Sequence, residues 1–281
     1  MLYRLIFILQ FICMLVCEAK PPQLSPRDVK SKIEEILKAH ASYKTFTKEL
    51  VQRTIQNFLE ELDPTKTYFI ESEIVDWINP SETLLQRGLT GFKQNDFSLF
   101  QEIHDTFIHA MHRRSIMESE IAQREPPSDI KSDEFKNMPW APAYEDLLNR
   151  NLRIKALQLQ ATEKLGNESQ FKFLQRIQKK RLNRESELTG NSPEDRHKIT
   201  LSLLLKAASA SLDSHTNYFT PTEANQFMIQ VQQRLFGIGA QLRDDLDGLS
   251  VTRILENSPA SQNGKLKIND KIIEVDREPI I

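Results

Sequence analysis

The chain has 281 residues, of which 39% are hydrophobic and 27% charged. This balance excludes a disordered protein and is sufficient for one large or two modest domains with real cores. The formal net charge is −2, which gives no general attraction to nucleic acid or anionic lipid, so nucleic-acid binding is not expected.

The first 19 residues have the layout of a secretory signal peptide. Arg4 precedes an apolar run from Leu5 to Cys17, and Ala19 offers a small residue before a cleavage point. The run is 13 residues long, whereas a membrane-spanning helix needs about 20. We therefore expect export without stable membrane insertion. An uncleaved anchor in the inner membrane is the alternative.

Both cysteines, Cys13 and Cys17, lie inside this leader. The mature chain then has no thiol, which excludes disulfides, thiolate nucleophiles and cysteine metal sites.

Residues 20–233 are predicted to be nearly all helix. Ser25 is a predicted helix cap, followed by Pro26 at the first helical position and Asp28 at the third. Helical spacing of apolar residues then predicts a helix to about Ser42 and a second one that ends at Leu62 before Asp63-Pro64. We expect these two helices to pair as a hairpin. Further helical patterns cover approximately residues 95–124, 144–165, 168–188 and 193–212.

The backbone chemistry changes near residue 235, because four of the eight glycines fall after that point. Short alternating apolar segments flank an Asp247-Gly248 turn, which predicts two antiparallel strands. Ser258 begins a predicted short helix, and 271–275 is a predicted third strand. The fold class is therefore mainly α, with a multi-helix N-terminal domain (20–233) followed by a small β-rich module (235–281).

Two segments of the helical region are similar to each other. Leu62-Asp63 is followed by Tyr68-Phe69, and Leu212-Asp213 is followed by Tyr218-Phe219. The simplest interpretation is a shared turn that ends a helix and carries an aromatic plug. A repeat with a function of its own is the alternative.

Two polar clusters are candidates for sites of chemistry. Asp105, His109 and His112 have helical spacing that suits a metal, but the same helix has its own apolar stripe, so the trio is interpreted as a solvated face. Asp213-Ser214-His215 has the residue types of a catalytic triad. Three consecutive side chains point in different directions, so this segment cannot relay a proton. No metal or other cofactor is expected, and no assembled active site is indicated.

The segment Phe236-Gly237-Ile238-Gly239-Ala240 is more informative. Glycines on both sides of one apolar residue let successive N–H groups turn toward a common point, where a peptide carboxylate can bind. Gln241 and Leu242 would then pair with the peptide strand. A purely structural glycine turn is the alternative.

The residues after this segment resemble the PDZ core of bacterial periplasmic proteases. The resemblance rests on Val251, Ile254, Ser258-Pro259-Ala260, Gly264, Leu266, Asn269-Asp270, Ile272, Val275-Asp276 and Pro279-Ile280. Asn269 and Arg277 stand where that family usually has glycine, and asparagine tolerates the left-handed conformation. Upstream, the two Leu-Asp segments are similar to parts of the tail-specific protease, also called the carboxy-terminal processing peptidase.

The resemblance implies a periplasmic serine endopeptidase with a helical N-terminal domain, a PDZ module that binds apolar C-terminal segments of substrate proteins, and a Ser-Lys dyad. It also suggests a homodimer formed through the helical domain. The chain ends at Ile281, before the second PDZ helix and the catalytic domain that the resemblance implies. No serine or lysine of this sequence can be matched to the dyad, so we expect substrate recognition without hydrolysis by this chain alone.

Two other functions stay open on the sequence. One is a non-enzymatic periplasmic peptide-binding or scaffold protein, and the other is a decayed gene product without a function. A catalytic domain encoded downstream would favour the protease, whereas a natural stop with abundant stable product would favour the scaffold. We also expect residues 235–281 to be loosely ordered, because a module this small has little core and no cysteine to staple it. Peptide affinity should then be poor, because the helix that would form the opposite wall of the groove is missing.

Overall fold

A computed structural model describes residues 24–163, 166–232, 237–245 and 248–280. The predicted leader, residues 1–19, lies outside the described residues. The fold class is confirmed, because helices occupy most of the chain up to residue 232 and a small antiparallel sheet follows. Within the described ranges, no helix is both long and apolar enough to cross a membrane.

The helices follow one another along the chain with short connections, except for the longer segment 124–143. They are α1 (Pro26–Ala39), α2 (Lys48–Leu62), α3 (Glu71–Ile78), α4 (Glu82–Gln94), α5 (Ser98–Gln123), α6 (Tyr144–Ala161), α7 (Asn167–Thr189), α8 (Pro193–Ala210) and α9 (Pro221–Gln232), with a 3₁₀ turn at Ser132–Phe135.

The start of α1 confirms the predicted cap. The Ser25 hydroxyl accepts a hydrogen bond from the Asp28 N–H, and the Asp28 carboxylate accepts one from the Ser25 N–H. This reciprocal pair satisfies two N–H groups that the first turn leaves without helical partners. The helix ends at Ala39, three residues earlier than predicted.

The predicted hairpin of α1 and α2 is wrong. Both helices pack mainly against α8, which comes more than 130 residues later in the chain. An apolar stripe specifies that a face is buried but not which helix covers it, and here a distant helix covers both.

Helices α3, α4 and α9 are not among the segments that the sequence pattern predicts. α4 contains Gly88 and Gly91, which look like helix breakers, yet each allows a close approach. A Cβ at Gly88 would lie 2.6 Å from Val51 Cγ1 on α2, and one at Gly91 would overlap the Asp96 carbonyl oxygen. These glycines therefore set the distance between α4 and its neighbours.

The main core lies among α1, α2, α5 and α8, and aromatic rings continue it along one side. The Phe107 ring lies 5.2 Å from that of Tyr68 and 5.5 Å from that of Phe69, between ring centroids. Phe58 meets Phe100 edge to face at 5.2 Å. Such offset contacts add to the stabilisation that burial provides.

A smaller core joins α5 and α6. Met117 and Ile121 of α5 pack against Leu147, Leu148 and Leu152 of α6, all of them buried. Helix α7 is different, because Leu188 near its C-terminal end is its buried residue. The rest of this 23-residue helix is exposed or half-buried.

The C-terminal segment forms two small sheets. β1 (Ala240–Asp245) and β2 (Gly248–Ile254) form the predicted antiparallel hairpin, and β3 (Lys271–Ile272) pairs with the other side of β2. Helix α10 (Pro259–Asn263) begins after the predicted Ser258 cap. The single third strand predicted at 271–275 is wrong, since Ile273 interrupts it and β4 (Glu274–Val275) pairs instead with β5 (Glu278–Pro279).

Candidate functional site

The predicted carboxylate-binding segment lies immediately before β1. Gly237 and Ile238 form a bend, Gly239 follows with φ +77°, and Ala240 begins the strand. Phe236, the first residue of the predicted segment, lies outside the described residues. The structure therefore describes four of the five residues, three in the bend and one at the start of β1.

Gly239 is required by the fold as well as by its backbone conformation. A Cβ at this position would overlap the Ser258 side chain. The Leu255 N–H donates to the Gly239 carbonyl at 2.8 Å, and the Ala260 N–H donates to the Ile238 carbonyl at 2.8 Å. The turn is thus attached to the start of α10.

These two bonds orient the amide groups. In a trans peptide the carbonyl and the following N–H point in opposite directions. Since the Ile238 and Gly239 carbonyls face Ala260 and Leu255, the N–H groups of Gly239 and Ala240 face away from them, toward the outer side of the turn.

Gln241 and Leu242 lie on an edge strand. The order of the three-stranded sheet is β1-β2-β3, so within the described residues one edge of β1 has no neighbouring strand. The register shifts between Gln241 and Leu242, which is a β-bulge. Ile238 is 51% exposed and Leu242 39% exposed. The segment therefore offers main-chain groups and apolar side chains on the same turn and strand.

The far end of β1 contacts the helical region. Arg176 of α7 donates a hydrogen bond to the Asp245 carbonyl oxygen. The Asp245 carboxylate accepts a bond from the Ser250 hydroxyl at 2.8 Å and pairs with Lys271 at 3.2 Å.

The two residues that replace family glycines have left-handed backbones. Asn269 has φ +74°, as expected for an asparagine in a glycine position, and Arg277 has φ +67°. An arginine at positive φ is uncommon and strained.

The first Leu-Asp turn is a buried cap. Asp63 is fully buried, and its carboxylate accepts hydrogen bonds from the N–H groups of Thr67 (2.8 Å), Tyr68 (2.9 Å) and Phe69 (3.1 Å). Burial raises the pKa of Asp63, while the three N–H bonds and the Arg150 charge oppose that rise. Tyr68 and Phe69 are both buried, which agrees with the predicted aromatic plug.

The second turn differs. Asp213 is exposed, and bonds from Thr216, from His40 and from the His215 N–H hold the pKa of its carboxyl well below the usual range. Phe219 is 43% exposed and stacks on Phe227. The shared sequence therefore gives one buried and one exposed turn.

Asp213 meets a histidine that the sequence did not indicate. His40 Nε2 lies 2.9 Å from Asp213 Oδ2, and His40 Nδ1 accepts the N–H groups of Ser42 and Tyr43. The ring thus connects the loop that follows α1 to the loop that follows α8. The neighbouring His215 contacts Asp213 through its main-chain N–H, and Ser214 is exposed, so no triad forms from these consecutive residues.

The candidate metal trio lies on α5. His109 and His112 are exposed and Asp105 is half-buried. In the ranges that the structure describes, no group of three or more His, Cys, Asp or Glu side chains could hold a metal ion.

The adjacent His104 is a structural residue, and it is fully buried. Its Nε2–H donates to the Leu188 carbonyl at 3.0 Å, and the Thr200 hydroxyl donates to its Nδ1 at 2.7 Å.

Comparison with known proteins agrees with these two regions. The family described as the tail specific protease N-terminal domain matches residues 32–222, and the PDZ domain family matches residues 226–281. A tail-specific protease of Haemophilus influenzae is 26% identical over 233 residues, which cover 80% of this chain and 32% of that protein. The chain spans about a third of the length of this curated relative.

Proposed function

The chain belongs to the family of the tail specific protease N-terminal domain, and from that membership we propose that it is the substrate-recognition part of a periplasmic tail-specific serine protease. Residues 1–19 would be the export signal, 20–233 the helical domain and 235–281 the PDZ module. Its ligands are the C-terminal segments of substrate proteins. The observation that carries the proposal is the turn at Gly237–Ala240, which leads directly into an edge strand.

The turn suits a carboxylate. The N–H groups of Gly239 and Ala240 face away from the bonds that hold their neighbouring carbonyls. Among the described residues, none accepts a hydrogen bond from Ile238 N or Gly239 N. Convergent main-chain N–H groups of this kind bind anions because each contributes a partial positive charge.

The strand suits the peptide chain that leads to that carboxylate. A peptide added beside β1 extends the sheet through main-chain hydrogen bonds, which are independent of sequence. Ile238 and Leu242 then supply apolar contacts for its side chains. Apolar C-terminal segments are therefore the expected ligand class.

The test is calorimetry on the 281-residue chain with an acetylated peptide that ends in Val-Leu. We expect the free carboxylate form to bind and the C-terminal amide to bind much more weakly. Leu242→Asp should remove the binding event at β1, because it places a negative charge beside the peptide carboxylate, whereas Ile273→Asp, at another exposed apolar position of the same segment, should leave that event unchanged. Equal affinity for acid and amide would refute the carboxylate site.

Hydrolysis is the second point of the proposal. We expect these 281 residues to bind without cutting, because the resemblance assigns none of their serines or lysines to the catalytic pair. An unfolded protein with an apolar C-terminus should stay intact during incubation with the purified chain. Cleavage that a point substitution within residues 20–281 abolishes would contradict this.

Export can be tested separately. N-terminal sequencing of the protein recovered from the periplasm should begin near Lys20. Recovery of an intact Met1 on cytoplasmic protein would overturn the assignment of the leader.

A further inference from the structure

A cleft lies between α5, α6, α7 and the loop that follows Asp63. Its volume is about 380 Å³, and its walls come from three helices that follow one another along the chain. No predicted site residue lines it. No residue of the PDZ segment lines the cleft, so the two sites are distinct.

Positive charge exceeds negative charge in this cleft. Arg114, Lys155 and Arg181 line it together with a single acid, Glu118. Arg181 lies 3.0 Å from Glu185 and 3.3 Å from Glu118. With both acids counted, three cations face two carboxylates, and one more carboxylate would balance the charge.

Arg114 shares its carboxylate partner Glu118 with Arg181, and Lys155 has no such partner among the described residues. Arg114 is 9% exposed, and its Nη1 lies 2.6 Å from Glu118 Oε1 in an ion pair that lacks hydrogen-bond geometry. Burial lowers the pKa of Arg114 because it disfavours the charged form. Lys155 is half-buried and pairs with none of the described residues. A bound anion would stabilise both charges.

The rest of the wall fits a peptide. Apolar surface comes from Ile121, Ile154, Leu174 and Ile177. Gln158 and Gln178 also line the cleft, and their side-chain amides bond to none of the described residues. Amides beside apolar side chains suit a ligand that has both peptide groups and apolar residues, whereas a hydrocarbon tail would leave them unsatisfied.

A second cleft gives the contrast. It lies along α4, has a volume of about 600 Å³, and is also lined by charged residues. There, Lys48 pairs with Glu82, and Arg87 pairs with Glu102 outside the lining. Because both cations already pair with carboxylates, a bound anion would add little stabilisation in this second cleft.

We propose that the cleft between α5, α6 and α7 is a second peptide site, which binds a short apolar segment bearing one carboxylate. The carboxylate lies among Arg181, Lys155 and Arg114, since guanidinium groups bind carboxylates through paired hydrogen bonds. The apolar residues lie against Ile121, Ile154 and Ile177.

The experiment uses the 281-residue chain carrying Leu242→Asp, which removes the proposed PDZ site from the measurement. The probe is the acetylated peptide ending in Val-Leu, as acid and as amide, and affinity is measured by calorimetry. We expect Lys155→Gln and Arg181→Gln each to weaken binding of the acid by about tenfold, since a charged hydrogen bond is lost. Glu118→Gln should strengthen it, because the competing carboxylate is removed. Lys38→Gln, on the exposed surface of α1, is the matched control and should change nothing.

Each outcome decides the matter. Lys155 has no partner among the described residues, so its substitution tests the site without breaking an internal ion pair. Unchanged affinity in the Lys155→Gln, Arg181→Gln double variant would overturn the proposal, as would weaker binding in Glu118→Gln. Binding of decanoate with no binding of the peptide would assign the cleft to a fatty acid and also overturn it. If the PDZ proposal alone is wrong, Leu242→Asp has no effect and these contrasts remain.

Discussion

The helical region and the C-terminal sheet differ in how much apolar surface they bury. Up to Leu212 the described chain has dozens of apolar side chains below a tenth exposed, and Phe58, Phe69 and Phe107 are fully buried. After Gly237, Val251 and Ala260 are the buried apolar residues of the described segment. Exposed apolar side chains there are Ile238, Leu242, Leu255, Ile268, Ile273 and Val275.

This comparison distinguishes order that comes from backbone hydrogen bonds from stability that comes from buried apolar side chains. Backbone groups pair within helices in the first region and through the β1–β2 ladder in the second. Net stability comes chiefly from apolar burial, at about 1.5–3 kcal/mol for each large side chain. The C-terminal segment therefore has a defined register with little burial to hold it.

Hydrogen exchange should show the largest effect of this difference. We expect amides across Gly237–Val275 to exchange about a thousandfold or more faster than those of α2 and α8, because local opening exposes few buried groups. Mass spectrometry of peptic fragments measures this directly. Similar protection in both regions would break the comparison.

Substitution of Asp63 tests how much its buried turn contributes to the stability of the helical region. Asp63→Ala leaves three N–H groups without an acceptor, two of them buried, so we expect the free energy of unfolding to fall by about 3–5 kcal/mol. Urea unfolding followed by far-UV circular dichroism gives this value.

The matched control for this change is Asp213→Ala, at the corresponding position of the second turn. Asp213 is exposed, so water can replace it and the loss of unfolding free energy should be much smaller than at Asp63. Equal losses at the two positions would mean that burial does not distinguish the two turns.

His104 gives a smaller effect that depends on pH. Burial lowers the pKa of its imidazole from 6.5 to about 4. Between these values the unfolded chain binds a proton that the folded chain does not. The free energy of unfolding is therefore highest above pH 6.5 and falls as the pH is lowered toward 4, by at most about 3 kcal/mol.

Urea unfolding at a series of pH values measures that slope. His104→Gln removes the titrating group and should flatten the slope over this window. The nearby charges, Asp105 and Arg196, remain in that variant. An identical slope in both proteins would show that other groups cause the acid sensitivity.

Local signals in the sequence predicted local structure well. Ser25 and Asp28 set the start of α1, and the segment around Gly248 predicted the hairpin of β1 and β2. Packing between distant segments was not predictable in this way. The hairpin prediction failed because α8 covers both helices, and α4 was missed because Gly88 serves close packing rather than a break.

The same limit applies to the sites. The Gly237–Leu242 segment was found from sequence because its glycines and its strand are consecutive; whether it binds a peptide stays a prediction. The charged cleft was missed because Arg114, Lys155 and Arg181 come from three helices, and each alone looks like a surface cation. The excess of positive charge is visible only when the fold brings these three side chains together.

Helix α7 has one buried residue, Leu188, near its C-terminal end. From there to Asn167 the helix extends about 31 Å, at about 1.5 Å per residue. A rotation of about 10° around Leu188 would therefore carry the other end through about 5 Å. Leu174, Ile177 and Arg181 lie between these two ends of α7. The width of the cleft therefore depends on the angle at which α7 meets the rest of the helical region. Arg176, which bonds to the end of β1, lies in the same part of α7, so a change in that angle reaches the sheet as well.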